Sequence, residues 1–170
     1  IVALTARAVL VKSERAAWAW LAVGVTAYSL GDLAWQFNDY GAGPSIADVL
    51  YLLFYPASYI ALLLLVRSRV SRFNRSVWLD GITVALAVGA VGAAFLIEFT
   101  LDHTEGDRLT VATNLAYPLG DVVLLALVVG VFWLVGRDAG REWVVLAGAF
   151  VATSIADAVY LWTATTGTYV

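Results

Sequence analysis

The sequence predicts an all-α, polytopic membrane helical bundle. Three observations carry that prediction. Of the 170 residues, 62% are hydrophobic and only 14% are charged, whereas a soluble domain is about half apolar and about a quarter charged. The mean hydropathy is +0.85. The apolar residues also come in long runs, with most of the charge gathered in the short segments between them, as successive bilayer crossings require.

Taken in order, Ile1–Val11 is apolar but too short to cross, and reads as the end of a truncated N-terminal helix. Five full transmembrane helices follow, at Ala16–Gln36, Ile46–Val66, Val77–Phe99, Leu109–Val135 and Trp143–Thr163, each near the ~20 residues that span hydrocarbon. The connections are short, so neighbouring helices run antiparallel. Gly43-Pro44-Ser45 is an entry turn to the second span, with Ser45 a candidate cap. Gly81, Gly89 and Gly92 give the third span a face suited to close helix packing. Asp80 reads as an acid in that helix's first turn, where the helix dipole favours it. The chain has no Met and ends on Gly167-Thr168-Tyr169-Val170. It reads as a fragment of a longer protein, with residues 1–170 forming a single transmembrane domain.

Lys and Arg set the orientation. Lys12 and Arg15 precede the first span, Arg67, Arg69, Arg72 and Arg75 fill the second connection, and Arg137 and Arg141 the fourth. Asn38–Pro44 has no Lys or Arg, and Leu101–Arg108 has Arg108 amid Asp102, Glu105 and Asp107. The basic connections, 67–75 and 136–142, are therefore expected in the cytoplasm and the chain in a bacterial inner membrane. Trp18, Trp78, Trp133 and Trp143 would mark the inner interface, and Trp35, Tyr40, Trp162 and Tyr169 the outer one.

An internal repeat is also visible. Arg7, Lys12, Arg15 and Trp18 match Arg67, Arg72, Arg75 and Trp78 at an offset of 60 (67−7, 72−12, 75−15, 78−18). Tyr55-Pro56 matches Tyr117-Pro118 at 62 (117−55), and Trp78 matches Trp143 at 65 (143−78). The expectation is tandem helical hairpins in parallel orientation.

The functional signal lies in the outer half. Asp32, Asp48, Glu98, Asp121 and Asp157 all fall within spans, although an Asp at mid-bilayer costs ~2.5–3.5 kcal/mol on insertion scales. Helical spacing puts Asp48, Tyr51, Tyr55 and Tyr59 on one face. The same spacing groups Tyr28, Asp32 and Trp35; Asn114, Tyr117 and Asp121; and Thr153, Asp157 and Tyr160. Pro56 and Pro118 free the carbonyls of Leu52 and Asn114, which beside carboxylates could ligate a hard cation. The candidate ligand- or cation-binding residues are Asp32, Trp35, Asp48, Tyr51, Tyr55, Tyr59, Asn114, Tyr117, Asp121, Asp157 and Tyr160. Three uses are open for them: locks between helices, a pocket for a cationic or polyhydroxylated ligand, or a proton or ion pathway. A pathway needs polar groups in the inner half too, and Ala61–Val66, Leu124–Val135 and Trp143–Val151 are almost purely apolar.

Other chemistry is excluded by what is missing. Cysteine is absent and His103 is the sole histidine, which excludes thiolate sites, bis-His haem ligation and His-rich metal sites. His103 reads as part of a solvated outer loop. Lys12 is the sole lysine and lies outside the spans, so a retinal-type Schiff base has no anchor. No basic stretch interleaves with exposed aromatics, so nucleic acid is not an expected partner. No catalytic set, cofactor or metal site is expected.

Three stretches carry a resemblance: Asp48-x-x-Tyr51-Leu52-x-Phe54-Tyr55-Pro56, Trp78-Leu79-Asp80-Gly81, and Ala112 to Asp121 with its Asn114, Tyr117 and Pro118. With Ala156 to Tyr160, they make the chain resemble the multi-span N-terminal regions of actinobacterial cyclic-di-GMP signalling proteins, which precede GGDEF and EAL domains. The resemblance implies a sensory input module whose cytoplasmic output domain lies beyond Val170, and no GGDEF or EAL motif occurs here. A small cation- or proton-coupled transporter and a structural scaffold are the alternatives, and a homodimer is left open.

Overall fold

The computed structural model describes residues 1–37, 43–69, 75–103, 107–135 and 140–165; side chains at 69, 75–78, 95–97, 99–103, 135, 161, 164 and 165 lie outside that description. Tyr40, Glu105 and Tyr169, and the side chains of Trp78, Asp102 and His103, are thus not described. The described residues form six α-helices: α1 (Val2–Leu10), α2 (Arg15–Gln36), α3 (Ile46–Arg69), α4 (Arg75–His103), α5 (Arg108–Val135) and α6 (Arg141–Thr165), with a 3-10 turn at Lys12–Glu14. The all-α expectation holds for them. Among the described residues, three helices are both long and apolar enough to cross a membrane, over Ile46–Ser68, Arg108–Leu134 and Arg141–Tyr160. Among the described side chains of α4, Leu79–Ala94 form an apolar stretch. With 22 residues, α2 has the length, about 33 Å at 1.5 Å per residue, but Thr26, Tyr28, Ser29 and Asp32 dilute its apolar character.

Two helix starts show how local chemistry sets the boundaries. Asp48 sits three residues past Ser45, and its Oδ2 accepts the Ser45 backbone N–H at 2.7 Å and the Ser45 hydroxyl at 2.9 Å. That is the acidic half of a capping box at the start of α3. Asp107 precedes α5 and accepts the Thr110 N–H at 2.9 Å and its hydroxyl at 2.7 Å, an N-cap in the ordinary sense. Asp80 departs from expectation. The helix begins at Arg75, not Val77, and no acid occupies its first turn; Asp80 falls more than a turn inside α4 and is exposed.

The chain divides into two compact units, Ile1–Arg75 and Ser76–Val170. In the first, α2 and α3 pack antiparallel. A Cβ on Gly24 would lie 3.1 Å from Ala57 Cβ and 3.4 Å from the Phe54 carbonyl, and one on Gly31 would lie 2.8 Å from the Tyr51 ring. Glycine is needed at both points so that the helices can approach. Leu21, Ala57, Ala61, Leu62, Leu65 and Val66 are buried in the first unit. Hydroxyls in α2 bond back along their own helix, Thr26 to the Ala22 carbonyl at 2.6 Å and Ser29 to Val25 at 3.0 Å, which satisfies them without a partner helix.

In the second unit, α4 and α5 pack antiparallel through small residues. Gly81 meets Leu134, Gly130 meets Ala85 and the Gly81 carbonyl, Gly89 meets Ala126, and Gly92 meets Val122. The expected glycine face of α4 therefore does pack closely. The α6 helix joins α5 through Ser154 and turns Val144, Val151, Ile155 and Val159 outward.

Candidate functional site

The candidate residues fall into two groups, one in each unit. In the first, the Tyr51 hydroxyl donates to Asp32 Oδ1 at 3.0 Å. Gly31, just before Asp32, leaves room for the Tyr51 ring to press against α2. Tyr28 meets Tyr51 edge-on at 5.0 Å between centroids and Phe54 at 5.6 Å. Phe54 meets Tyr55 at 5.7 Å, and Tyr55 meets Tyr59 at 6.4 Å. The first three are edge-to-face pairs, which add about 0.5–1.5 kcal/mol each beyond area burial; Tyr55 and Tyr59 are tilted at 41°. An aromatic ladder thus runs up α3, tied to α2 by Asp32. Tyr55 is buried, Tyr51, Tyr59 and Trp35 are half-buried, and Asp32 is exposed. Asp48 shares the predicted face, but its described bonds go to Ser45 at the helix start rather than to the ladder.

In the second group, Asp121 is 6% exposed and accepts the Ser154 hydroxyl at 3.0 Å across α5 and α6. Asn114, Tyr117 and Asp157 are half-buried and Tyr160 is exposed. Pro118 is buried one turn before Asp121, inside a helix that runs through it. Glu98 is exposed on α4. No group of three or more acidic or histidine side chains suited to a metal ion occurs among the described residues.

Sequence reasoning missed three participants. Ser154 reaches Asp121, while Thr153, grouped with Asp157 and Tyr160, bonds back to the Ala149 carbonyl at 3.1 Å. The spacing Ser154-x-x-Asp157 was the available signal. Ser58 is fully buried on α3 and its hydroxyl has no hydrogen-bond partner. Glu14 is buried in the 3-10 turn, where its Oε2 accepts the Trp18 indole N–H at 2.8 Å. Trp18, expected as an interfacial marker, is 3% exposed, because a nearby acceptor lets its polar edge be buried.

No family model matches the chain, and no curated protein or solved structure matches it.

Proposed function

We propose that the chain is a membrane-embedded sensory module of five spans, not itself an enzyme, that takes a cationic or polyhydroxylated ligand from the outer side. The basic connections lie in the cytoplasm, where an output domain of the GGDEF or EAL kind implied by the resemblance would receive the signal. The observation that carries the reading is Asp121, a buried carboxylate in the most apolar of the long helices, bonded to Ser154 of its neighbour. A carboxylate has about four acceptor positions, so a ligand donor can compete with the Ser154 hydroxyl and alter how α5 and α6 pack. Ligand binding shifts the helix pair only by its differential affinity for the two packings.

A transporter is less well supported. The inner half of α3 presents Ala61, Leu62, Leu65 and Val66, none more than 2% exposed, which offers no polar route. A structural scaffold is the second reading, favoured by Asp48 and Asp32, whose described bonds cap a helix and tie two helices together.

The test uses the protein in nanodiscs, with spin labels near Val131 on α5 and Glu142 on α6. The outer solution is titrated with choline, spermidine and trehalose. At least one should move the distance distribution in the parent, and not in Asp121→Asn. A distribution unmoved by every probe and by the substitution supports the scaffold and overturns the sensor.

A further inference from the structure

The geometry points to a binding site for the phosphodiester of an anionic lipid at the elbow between α1 and α2, built on Arg7. This rests on the membrane placement proposed above. The Arg7 guanidinium lies over the Trp18 ring, 4.5 Å from its centroid. Stacking on an indole holds the planar fork in one orientation, which suits bidentate phosphate recognition. Its Nε is buried and has no hydrogen-bond partner. Arg7 as a residue is half-buried, so part of its side chain stays open to an outside oxygen acceptor, and a charged donor left unpaired is costly.

The surroundings favour an anion with an apolar tail. Lys12 and Arg15 are exposed in the same elbow. The 3-10 turn between them packs against α3. The antiparallel register, with Gly31 at Tyr51 and Gly24 at Ala57, brings the Arg67 end of α3 to that turn, and Arg67 is exposed. Glu14 is the acid described in the elbow, and its Oε2 is engaged by the Trp18 indole. Four cations against that one carboxylate leave the elbow strongly positive. Beside them α1 exposes Val2 at 84%, Val9 at 58% and Leu10 at 79%. A soluble anion would gain nothing from that apolar face; acyl chains would cover it.

The test is native mass spectrometry of the full chain equilibrated in detergent with equal amounts of phosphatidylglycerol and phosphatidylcholine. The parent should retain phosphatidylglycerol preferentially. Arg7→Gln should cut that preference roughly five-fold, the effect of one basic side chain at an anionic surface. Arg7→Lys should recover part of it, because charge returns without the fork. Lys12→Gln with Arg15→Gln, both at exposed positions, keeps the test decisive if Arg7→Gln does not fold, and should also lower the preference. Unchanged retention in the folded Arg7→Gln protein, or in the double variant where Arg7→Gln does not fold, overturns the site. Displacement of the lipid by inorganic phosphate alone makes it a soluble-anion site and overturns the lipid assignment. Extraction of the chain from membranes by alkaline carbonate would sink the membrane placement itself. Retention in the pellet without lipid preference sinks this inference alone.

Discussion

Replacing Gly31 with Ala tests the α2–α3 contact most sharply. The new Cβ would sit 2.8 Å from Cδ1 and Cε1 of Tyr51 and 3.2 Å from Cγ. Carbon atoms in good contact are about 3.5–4.0 Å apart, so the ring must retreat by at least ~0.7 Å. Both atoms facing the Cβ belong to a ring whose hydroxyl is bonded to Asp32 on the very next residue, so the retreat strains or breaks that bond. Overpacking costs about 1–3 kcal/mol, and a lost interhelical hydrogen bond in a membrane protein about 0.6 kcal/mol, up to about 1.7. Against this, Ala gains up to about 1 kcal/mol over Gly in helix propensity. The net expectation is a loss of roughly 1–3 kcal/mol. Gly148→Ala supplies the internal control, since a Cβ there meets nothing within 4 Å and only the propensity gain remains. Unfolding in mixed micelles by titration with sodium dodecyl sulfate, followed by tryptophan fluorescence, measures both. If Gly31→Ala is as stable as Gly148→Ala, the close approach of α2 to the Tyr51 ring is wrong. So is it if Gly31→Ala costs as much in a Tyr51→Ala background as in the parent.

Four further expectations follow from the same contacts. Ser58→Ala should leave stability unchanged or raise it by up to about 2 kcal/mol, because it deletes a buried hydroxyl that lacks a partner; a marked loss in the same titration would reveal a bond the structure does not show. Ser154→Ala should cost about 0.6–1.7 kcal/mol, and unchanged stability would mean that Asp121 does not depend on that hydroxyl. On α4, Gly81→Ala should destabilise more than Gly89→Ala, since the nearest atoms lie at 3.0 Å and 3.6 Å respectively; equal effects would contradict the α4–α5 register. Asp107 is held below the ordinary aspartate range, first by the Thr110 hydroxyl and then by the Thr110 backbone N–H. A depressed carboxylate stabilises fully above its unfolded value, about 3.9, and loses that contribution as pH falls through its lower folded value. The protection against hydrogen exchange at the first turn of α5, taken relative to the intrinsic amide rate at each pH, should therefore fall on acidification below about pH 4. An Asp107→Asn protein should lack that step; its persistence would assign the step to another group.

The sequence by itself determined the helices, and with them the all-α class. Their expected ends differ from the observed ones by at most four residues, at Phe99 against His103, because long apolar runs broken by polar segments leave few places for a helix to stop. Ser45 was legible as a cap, but its bond to Asp48 three residues on was not, because Asp48 was grouped with Tyr51, Tyr55 and Tyr59 on one face. The glycine face of α4 was legible because small side chains at helical spacing serve little besides close approach. What only the tertiary structure decided was which polar group each acid meets. Helical periodicity grouped Asp32 with Tyr28 and Trp35, and Asp121 with Asn114 and Tyr117, each on its own helix; it could not show that Asp32 also takes Tyr51, and Asp121 Ser154, from a neighbouring helix. Periodicity places a side chain on a face about 100° wide. Choosing its partner also needs the register and crossing of the neighbouring helix, and these were set by Gly24 and Gly31 against Ala57 and Tyr51. The Arg7–Trp18–Glu14 cluster was hidden for the same reason. Its members looked like ordinary markers of a basic turn until the 3-10 break folded α1 back onto α2 and enclosed the indole between a cation and a carboxylate.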